Sequence, residues 1–203
     1  MSLATRPTVD RVISDRLIGA ILTIGGLIGT LAAFVLTVEK ISLLKDPAYV
    51  PSCSISPLLS CGSIMASWQA ETFGFANPLI GLAAFPVVVT TGVAVLARVR
   101  LPRWWWLGLQ GGALFGVGFV HWLFFQSVYR IGALCPYCMV VWVVMIVLFT
   151  YVSLYNLERG HLPAPKSVTG ALVRVHTAVP LLWILILAAL IAVQFWSYWR
   201  TLI

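Results

Sequence analysis

The sequence predicts an all-α integral membrane protein with five transmembrane helices, and two observations carry that prediction. Hydrophobic residues make up 61% of the 203-residue chain and charged residues only 9%, too few charges to coat a water-facing surface. The apolar residues also gather into five blocks, Leu17–Val38, Pro78–Ala97, Trp104–Val128, Ile131–Tyr155 and Ala178–Tyr198, each near the roughly 20 residues that span a bilayer. In hydrocarbon a backbone must satisfy its own hydrogen bonds, so each block is expected to be a helix. The 13 Lys+Arg outnumber the 6 Asp+Glu, but they are scattered between apolar blocks rather than clustered as a nucleic-acid footprint. No Gly/Ser-rich or Pro-rich linker and no tandem repeat divides the chain.

Residues 1–16 read as a cytoplasmic flank bearing Arg6, Arg11 and Arg16. The first block is longer than the apolar region of a signal peptide, and no small-x-small site precedes Glu39, so it is expected to be a retained anchor. A long loop, 39–77, follows. In it Ile64, Met65 and Trp68 fall on one helical face and Ser67 and Glu71 fall elsewhere, which predicts a short amphipathic helix over the mouth of the bundle. Asn77 and Pro78 open the second helix, with Asn77 either an N-cap or an amide turned into the bundle.

The third block repeats glycine every four residues at Gly108, Gly112 and Gly116, as the first does at Gly25 and Gly29, and both are expected to be sites of close helix packing. His121 and Gln126 lie in the same block. Polar residues at that depth usually face the bundle interior, and His121 is expected to be satisfied by a neighbouring helix. The fourth block is strictly apolar only from Cys138. Residues 156–177 read as a cytoplasmic loop, with His161 and His176 needing no special role, and 178–203 as a fifth helix with a short outer tail.

Orientation follows from the flanking charges. Arg6, Arg11, Arg16, Arg98, Arg100, Arg103, Arg159, Lys166 and Arg174 fall on one side, against Lys40, Lys45, Arg130 and Arg200 on the other. The positive-inside rule then puts the N-terminus in the cytoplasm and the C-terminus outside. Trp104, Trp105, Trp106, Trp196, Tyr198 and Trp199 stand at block ends, where interfacial aromatic belts belong.

That topology places every cysteine on or near the outer face, where disulfides persist. Cys53 and Cys61 lie in the long loop, and Cys135 and Cys138 form Cys-Pro-Tyr-Cys where the fourth helix begins. A helix N-terminus favours a thiolate, and the thiolate is the species that attacks a disulfide. Pro136 suits a first turn because its missing N–H is not needed there. The amphipathic helix would carry Cys61 to within reach of Cys135. Spacing alone leaves open two independent structural disulfides, one per pair, or a four-cysteine zinc or iron–sulfur site, although C-x7-C followed by C-x2-C matches no usual metal ribbon.

The stretch from Cys53 through Ser60-Cys61-Gly62-Ser63 and Ala70-Glu71-Thr72-Phe73-Gly74-Phe75 to Asn77-Pro78-Leu79-Ile80-Gly81 resembles the vitamin K epoxide reductase family. So does His121-Trp122-Leu123-Phe124-Phe125-Gln126, running into Gly132-Ala133-Leu134-Cys135-Pro136-Tyr137-Cys138-Met139-Val140-Val141-Trp142. The likeness covers about Leu17 to Tyr155 and is closest to bacterial members. It implies a four-helix catalytic bundle over 17–155 around a quinone, capped by the outer loop, with the fifth helix as an addition. It further implies that Cys53 meets a reduced partner protein, that Cys61 relays to Cys135, and that Cys138 lies beside the quinone. Ser67 matches a serine that supports the redox site, and Asn77 an amide that hydrogen-bonds a quinone carbonyl. Vertebrate members have tyrosine four residues after the last cysteine; here Trp142 stands there, with an indole N–H in place of the phenol.

The implied function is a quinone-dependent thiol oxidase, menaquinone being favoured over ubiquinone, that reoxidises an extracytoplasmic thioredoxin-fold, DsbA-like donor. It would sit in a bacterial plasma membrane with all four cysteines on the outer side. Many bacterial members carry a fused thioredoxin-like domain; this sequence ends at Ile203, so the partner is expected to be a separate polypeptide. The alternatives are reduction of a quinone epoxide by the same residues and a non-catalytic membrane scaffold stapled by structural disulfides. The DsbB-type oxidases share the logic but place the C-x-x-C before the spaced pair, the reverse of the order here.

Overall fold

A computed structural model describes residues 12–200, so Arg6, Arg11 and the tail residues 201–203 lie outside the described residues. Helix α1 spans Asp15–Lys45 and is capped by Ser14, whose hydroxyl accepts from the Leu17 N–H at 3.1 Å. It runs two turns beyond the predicted end at Val38. The charges of Glu39 and Lys40 end the apolar run, yet both side chains are buried against protein partners and the helix continues. The loop carries a short helix α2, Cys61–Met65, and a 3-10 turn, Trp68–Glu71. Helices α3, Pro78–Leu96, and α4, Arg103–Phe125, follow. A π-turn, Gln126–Ile131, closes α4 and ends on Gly132, whose φ of +73° suits glycine. Helix α5 is Pro136–Glu158. The stretch expected to be a plain loop contains α6, Lys166–Arg174; it meets α7, Ala178–Gln194, at a 63° bend, and α8, Trp196–Trp199, completes the described chain.

Among the described residues, α1, α3, α5 and α4 with its π-turn are long and apolar enough to cross a membrane, and the bent α6–α7 pair supplies a fifth span. Helix α5 packs against both α1 and α4, and it carries the densest run of buried side chains, from Trp142 to Asn156. Helices α1 and α3 make the most extensive contact, through glycine. A Cβ on Gly92 would lie 2.6 Å from the Thr23 backbone N and 2.8 Å from the Gly19 carbonyl oxygen.

The glycines of α4 do something else. Gly108 and Gly112 have nothing within 4 Å of where a Cβ would stand, and Gly116 meets only the Met145 side chain. Their stripe lines a cavity, so the expectation of close packing is corrected there, while Gly25 does pack against Leu148. A missing side chain admits a neighbour only where one is present; α4 leaves the space open.

At the end away from the cysteines a polar cluster ties the helices together. Asp15 accepts from Tyr155 Oη at 3.0 Å and pairs with Arg159. Fully buried Asn156 donates to the Trp106 carbonyl and to Gln110 Oε1, and Arg103 donates to the His161 carbonyl. His161 is held below the usual histidine range by burial and by the charges of Arg103 and Arg159. In α4, His121 Nδ1 donates to the Val117 carbonyl at 2.7 Å and Nε2 accepts from Trp183 Nε1 at 2.8 Å. The neighbour that satisfies His121 is therefore the fifth span.

Candidate active site

The site is set by backbone register. Leu59 and Leu134 form a parallel β-bridge: Leu134 N–H donates to the Leu58 carbonyl at 2.8 Å, and Ser60 N–H donates to the Leu134 carbonyl at 3.0 Å. Cys61 comes two residues after Leu59 and Cys135 one after Leu134. The bridge therefore brings the start of α2 and the start of α5 side by side, and the two sulfurs lie 3.2 Å apart. Cys61 is bonded to Cys53, with Cα atoms 5.6 Å apart, while Cys135 and Cys138 are free thiols. The sulfurs of Cys53, Cys61 and Cys135 all lie within 4.8 Å of one another, and all three residues are buried. This is one cluster, not two separate staples.

Cys135 is the N-cap of α5, between two spans, and its sulfur accepts from the Cys138 N–H at 3.4 Å. The Cys138 thiol, with help from the N–H groups of Cys138 and Tyr137, holds the Cys135 thiol below its usual range, against burial, which pushes it up. Pro136 takes the first helical position, as its missing N–H allows. Cys138 is half-buried, in the first turn of α5, and with Cys61 and Cys135 lines a cavity of about 550 Å3 walled by α1, α3, α4 and α5. That volume is within the range of small-molecule sites. The walls are almost wholly apolar, and the polar groups, among them Lys40, Gln69, Asn77, Gln126 and Ser127, come from the capping loop and the helix ends that face it.

The remaining predicted residues serve the cap or the cavity wall. Ser67 Oγ donates to the Ile64 carbonyl at 2.6 Å, so it braces the turn after α2, and among the described residues no hydrogen bond joins it to a sulfur. That competing bond breaks the expected amphipathic helix into α2 and the 3-10 turn. Met65 is buried and Ile64 packs beside it, whereas Trp68 leaves their face and meets Trp122 of α4 edge-on, 6.1 Å between centroids. Asn77 stands at the N-cap position of α3 without making the capping bond. Its Nδ2 donates to the Gln69 carbonyl at 2.6 Å and its Oδ1 accepts from the Thr72 N–H at 3.2 Å. One amide hydrogen remains, and the residue lines the cavity. Gln126 Oε1 accepts from Gln69 Nε2 at 3.5 Å, linking the cap to the π-turn. Trp142 is buried against Phe124 and lines the cavity, and among the described residues no acceptor reaches its indole N–H.

Sequence reasoning missed Glu39, Lys40 and Gln69. Two opposite charges side by side at the end of an apolar helix were the available signal for the first pair.

A disulfide in contact with a dithiol that opens onto an apolar cavity within a helical bundle defines a membrane thiol–disulfide oxidoreductase. Residues 20–153, well over half of the chain, match the model of the vitamin K epoxide reductase family, and the chain belongs to that family. No curated protein matches it. Members of the family are oxidoreductases that act with quinones. The cavity fits such a group on its own terms: apolar walls for ring and tail, the Cys138 sulfur on one wall, and donors left over on Asn77 and Trp142 for carbonyl oxygens.

Proposed function

We propose that this protein is a quinone-linked thiol oxidase that reoxidises an extracytoplasmic thioredoxin-fold, DsbA-like disulfide donor and so supports disulfide-bond formation, with its cysteines on the outer side of a bacterial plasma membrane. The observation that carries the reading is the 3.2 Å approach of Cys135 to Cys61 of the loop disulfide, with Cys138 next in line at the cavity.

Each exchange forms one S–S bond and breaks one. A partner thiolate attacks Cys53, and Cys61 leaves as a thiolate. The partner's second thiol then displaces Cys53, which leaves the partner oxidised and both loop cysteines reduced. Cys61 attacks Cys135 of a Cys135–Cys138 disulfide, Cys138 leaves, and Cys53 closes on Cys61 to free Cys135. The arrangement observed, with the loop disulfide closed and Cys135 and Cys138 as thiols, stands at the end of that sequence. A bound quinone, menaquinone in our reading, supplies the sink for two electrons and two protons. Cys138 gives up its electrons at the cavity wall and Cys135 closes the disulfide with it, while Asn77 and Trp142 orient the ring and Ser67 holds the cap turn. A DsbA-like donor at about −120 mV is already strongly oxidising, so its reoxidation needs a stronger acceptor such as a membrane quinone.

The test is anaerobic. Purified chain, a reduced thioredoxin-fold dithiol protein and menaquinone are mixed, and quinone absorbance is followed in wild type, Cys53→Ala and Cys138→Ala. Loss of quinone in wild type and in neither variant is expected. Equal turnover in Cys138→Ala, or turnover of a quinone epoxide but not of quinone, would overturn the reading.

A further inference from the structure

Glu39 and Lys40 are buried at 6% and 7% exposure, side by side on α1, in a chain with very few charges. Neighbours on a helix point about 100° apart, so the two side chains reach different parts of the loop. The Glu39 carboxylate accepts from Tyr49 Oη at 2.8 Å, from the Ser52 N–H at 3.3 Å and from the Ser52 hydroxyl. Ser52 immediately precedes Cys53. Lys40 Nζ donates to the Met65 carbonyl at 2.7 Å, at the last residue of the helix that begins with Cys61, and pairs with Glu71 at 2.8 Å. Every charge in this group has its partner. Buried charges that are fully hydrogen-bonded fix geometry more than they add stability.

We propose that Glu39 and Lys40 form a two-handed clamp that positions the redox loop. Glu39 grips the arm bearing Cys53 and Lys40 the arm bearing Cys61, and together they hold the loop disulfide against Cys135. Both are positioning residues: neither approaches a sulfur in the contacts that place them. The inference rests on the relay described above, but its test needs neither quinone nor partner.

In a Cys53→Ala/Cys138→Ala background only Cys61 and Cys135 remain, and the two-electron thiol oxidant diamide joins them. Two thiols lose two electrons and two protons to the diamide, and one S–S bond forms. The rate reports how often the two sulfurs meet. Glu39→Ala and Lys40→Met are each expected to slow crosslinking by about tenfold, the worth of one charge-assisted hydrogen bond. Lys40→Arg, which keeps charge and donors, and Glu39→Gln, which keeps shape and one acceptor, are expected to lie between these and the parent, and they guard against a variant that fails to fold. In the otherwise native chain Glu39→Gln is expected to lower kcat with the KM for quinone unchanged, because Glu39 does not line the cavity. Crosslinking within twofold of the parent in both Glu39→Ala and Lys40→Met would overturn the clamp and leave the relay untouched. A slow parent that none of the four substitutions slows further would remove the relay geometry itself, and the clamp with it.

Discussion

Gly92 and Gly112 both lie inside membrane-spanning helices, yet alanine at the two positions is expected to act with opposite signs. At Gly92 the new methyl would stand 2.5 Å from Thr23 Oγ1, 2.6 Å from the Thr23 backbone N and 2.8 Å from the Gly19 carbonyl oxygen. Two of those atoms are backbone and cannot rotate away, so α1 and α3 must separate. Overpacking of this kind costs about 1–3 kcal/mol. At Gly112 nothing lies within 4 Å. The methyl enters the cavity, and the helix gains the roughly 0.5–1 kcal/mol by which alanine exceeds glycine in a helix interior. In a chain of this size 1 kcal/mol moves Tm by about 2–4 °C. Thermal unfolding in detergent, followed by tryptophan fluorescence, should therefore show Gly92→Ala falling by about 2–12 °C and Gly112→Ala rising by about 1–4 °C. Gly112→Leu should raise the KM for quinone while leaving the fold intact. If Gly112→Ala lost as much stability as Gly92→Ala, α4 would be packing through its glycines, and the cavity argument would fail.

Alkylation of Cys135 by iodoacetamide should rise with pH and level off below the usual thiol range, because the groups that lower this thiol favour its charged form. Cys138→Ala removes the leading donor and should move the midpoint up; a midpoint that stayed or fell would refute the assignment. Arg98, just past the end of α3, has φ +62°, with the Arg98 and Val99 N–H groups closing back on Val95 and Ala94. Arg98→Gly should stabilise the chain by about 1 kcal/mol, read as a rise in Tm, and no gain would mean the turn is unstrained. Trp183→Phe removes the N–H that His121 accepts at 2.8 Å and should cost about 1 kcal/mol. A double-mutant cycle with His121→Phe should return a coupling of similar size, and additive losses would deny the fifth span this contact.

Composition made the fold class legible, because each span must bury a continuous apolar run in protein or face it to lipid. It made helix ends less legible. Val38 closes the apolar run of α1, but the helix continues to Lys45, since Glu39 and Lys40 find partners in the loop above. Residues 63–72 read as one amphipathic helix by periodicity, and a local bond from Ser67 to Ile64 divided it. Gly108, Gly112 and Gly116 carry the same spacing as a packing motif, and nothing local distinguishes a glycine that admits a helix from one that leaves room for a ligand. That difference belongs to the neighbour: α3 faces α1 at Gly92, and open space faces α4 at Gly112.

The site was legible in its atoms and not in its register. The four cysteines and the helix start at Pro136 are chemistry that a sequence displays. The bridge from Leu59 to Leu134 is not, because those two leucines differ in nothing from the other apolar residues around them. Yet the bridge is what brings the sulfurs together. A disulfide eight residues around and a dithiol more than seventy residues away meet at 3.2 Å because two backbone hydrogen bonds fix the two segments one and two residues upstream. In such pairing a slip of one residue moves the chain by about 3.3 Å and turns the following side chain to the opposite face. Side-chain packing alone tolerates shifts of that order, whereas a bridge does not. Electron transfer by thiol–disulfide exchange requires sulfur to reach sulfur, so the relay depends on backbone bonds that no cysteine pattern records, and on the clamp residues that keep the loop seated on them.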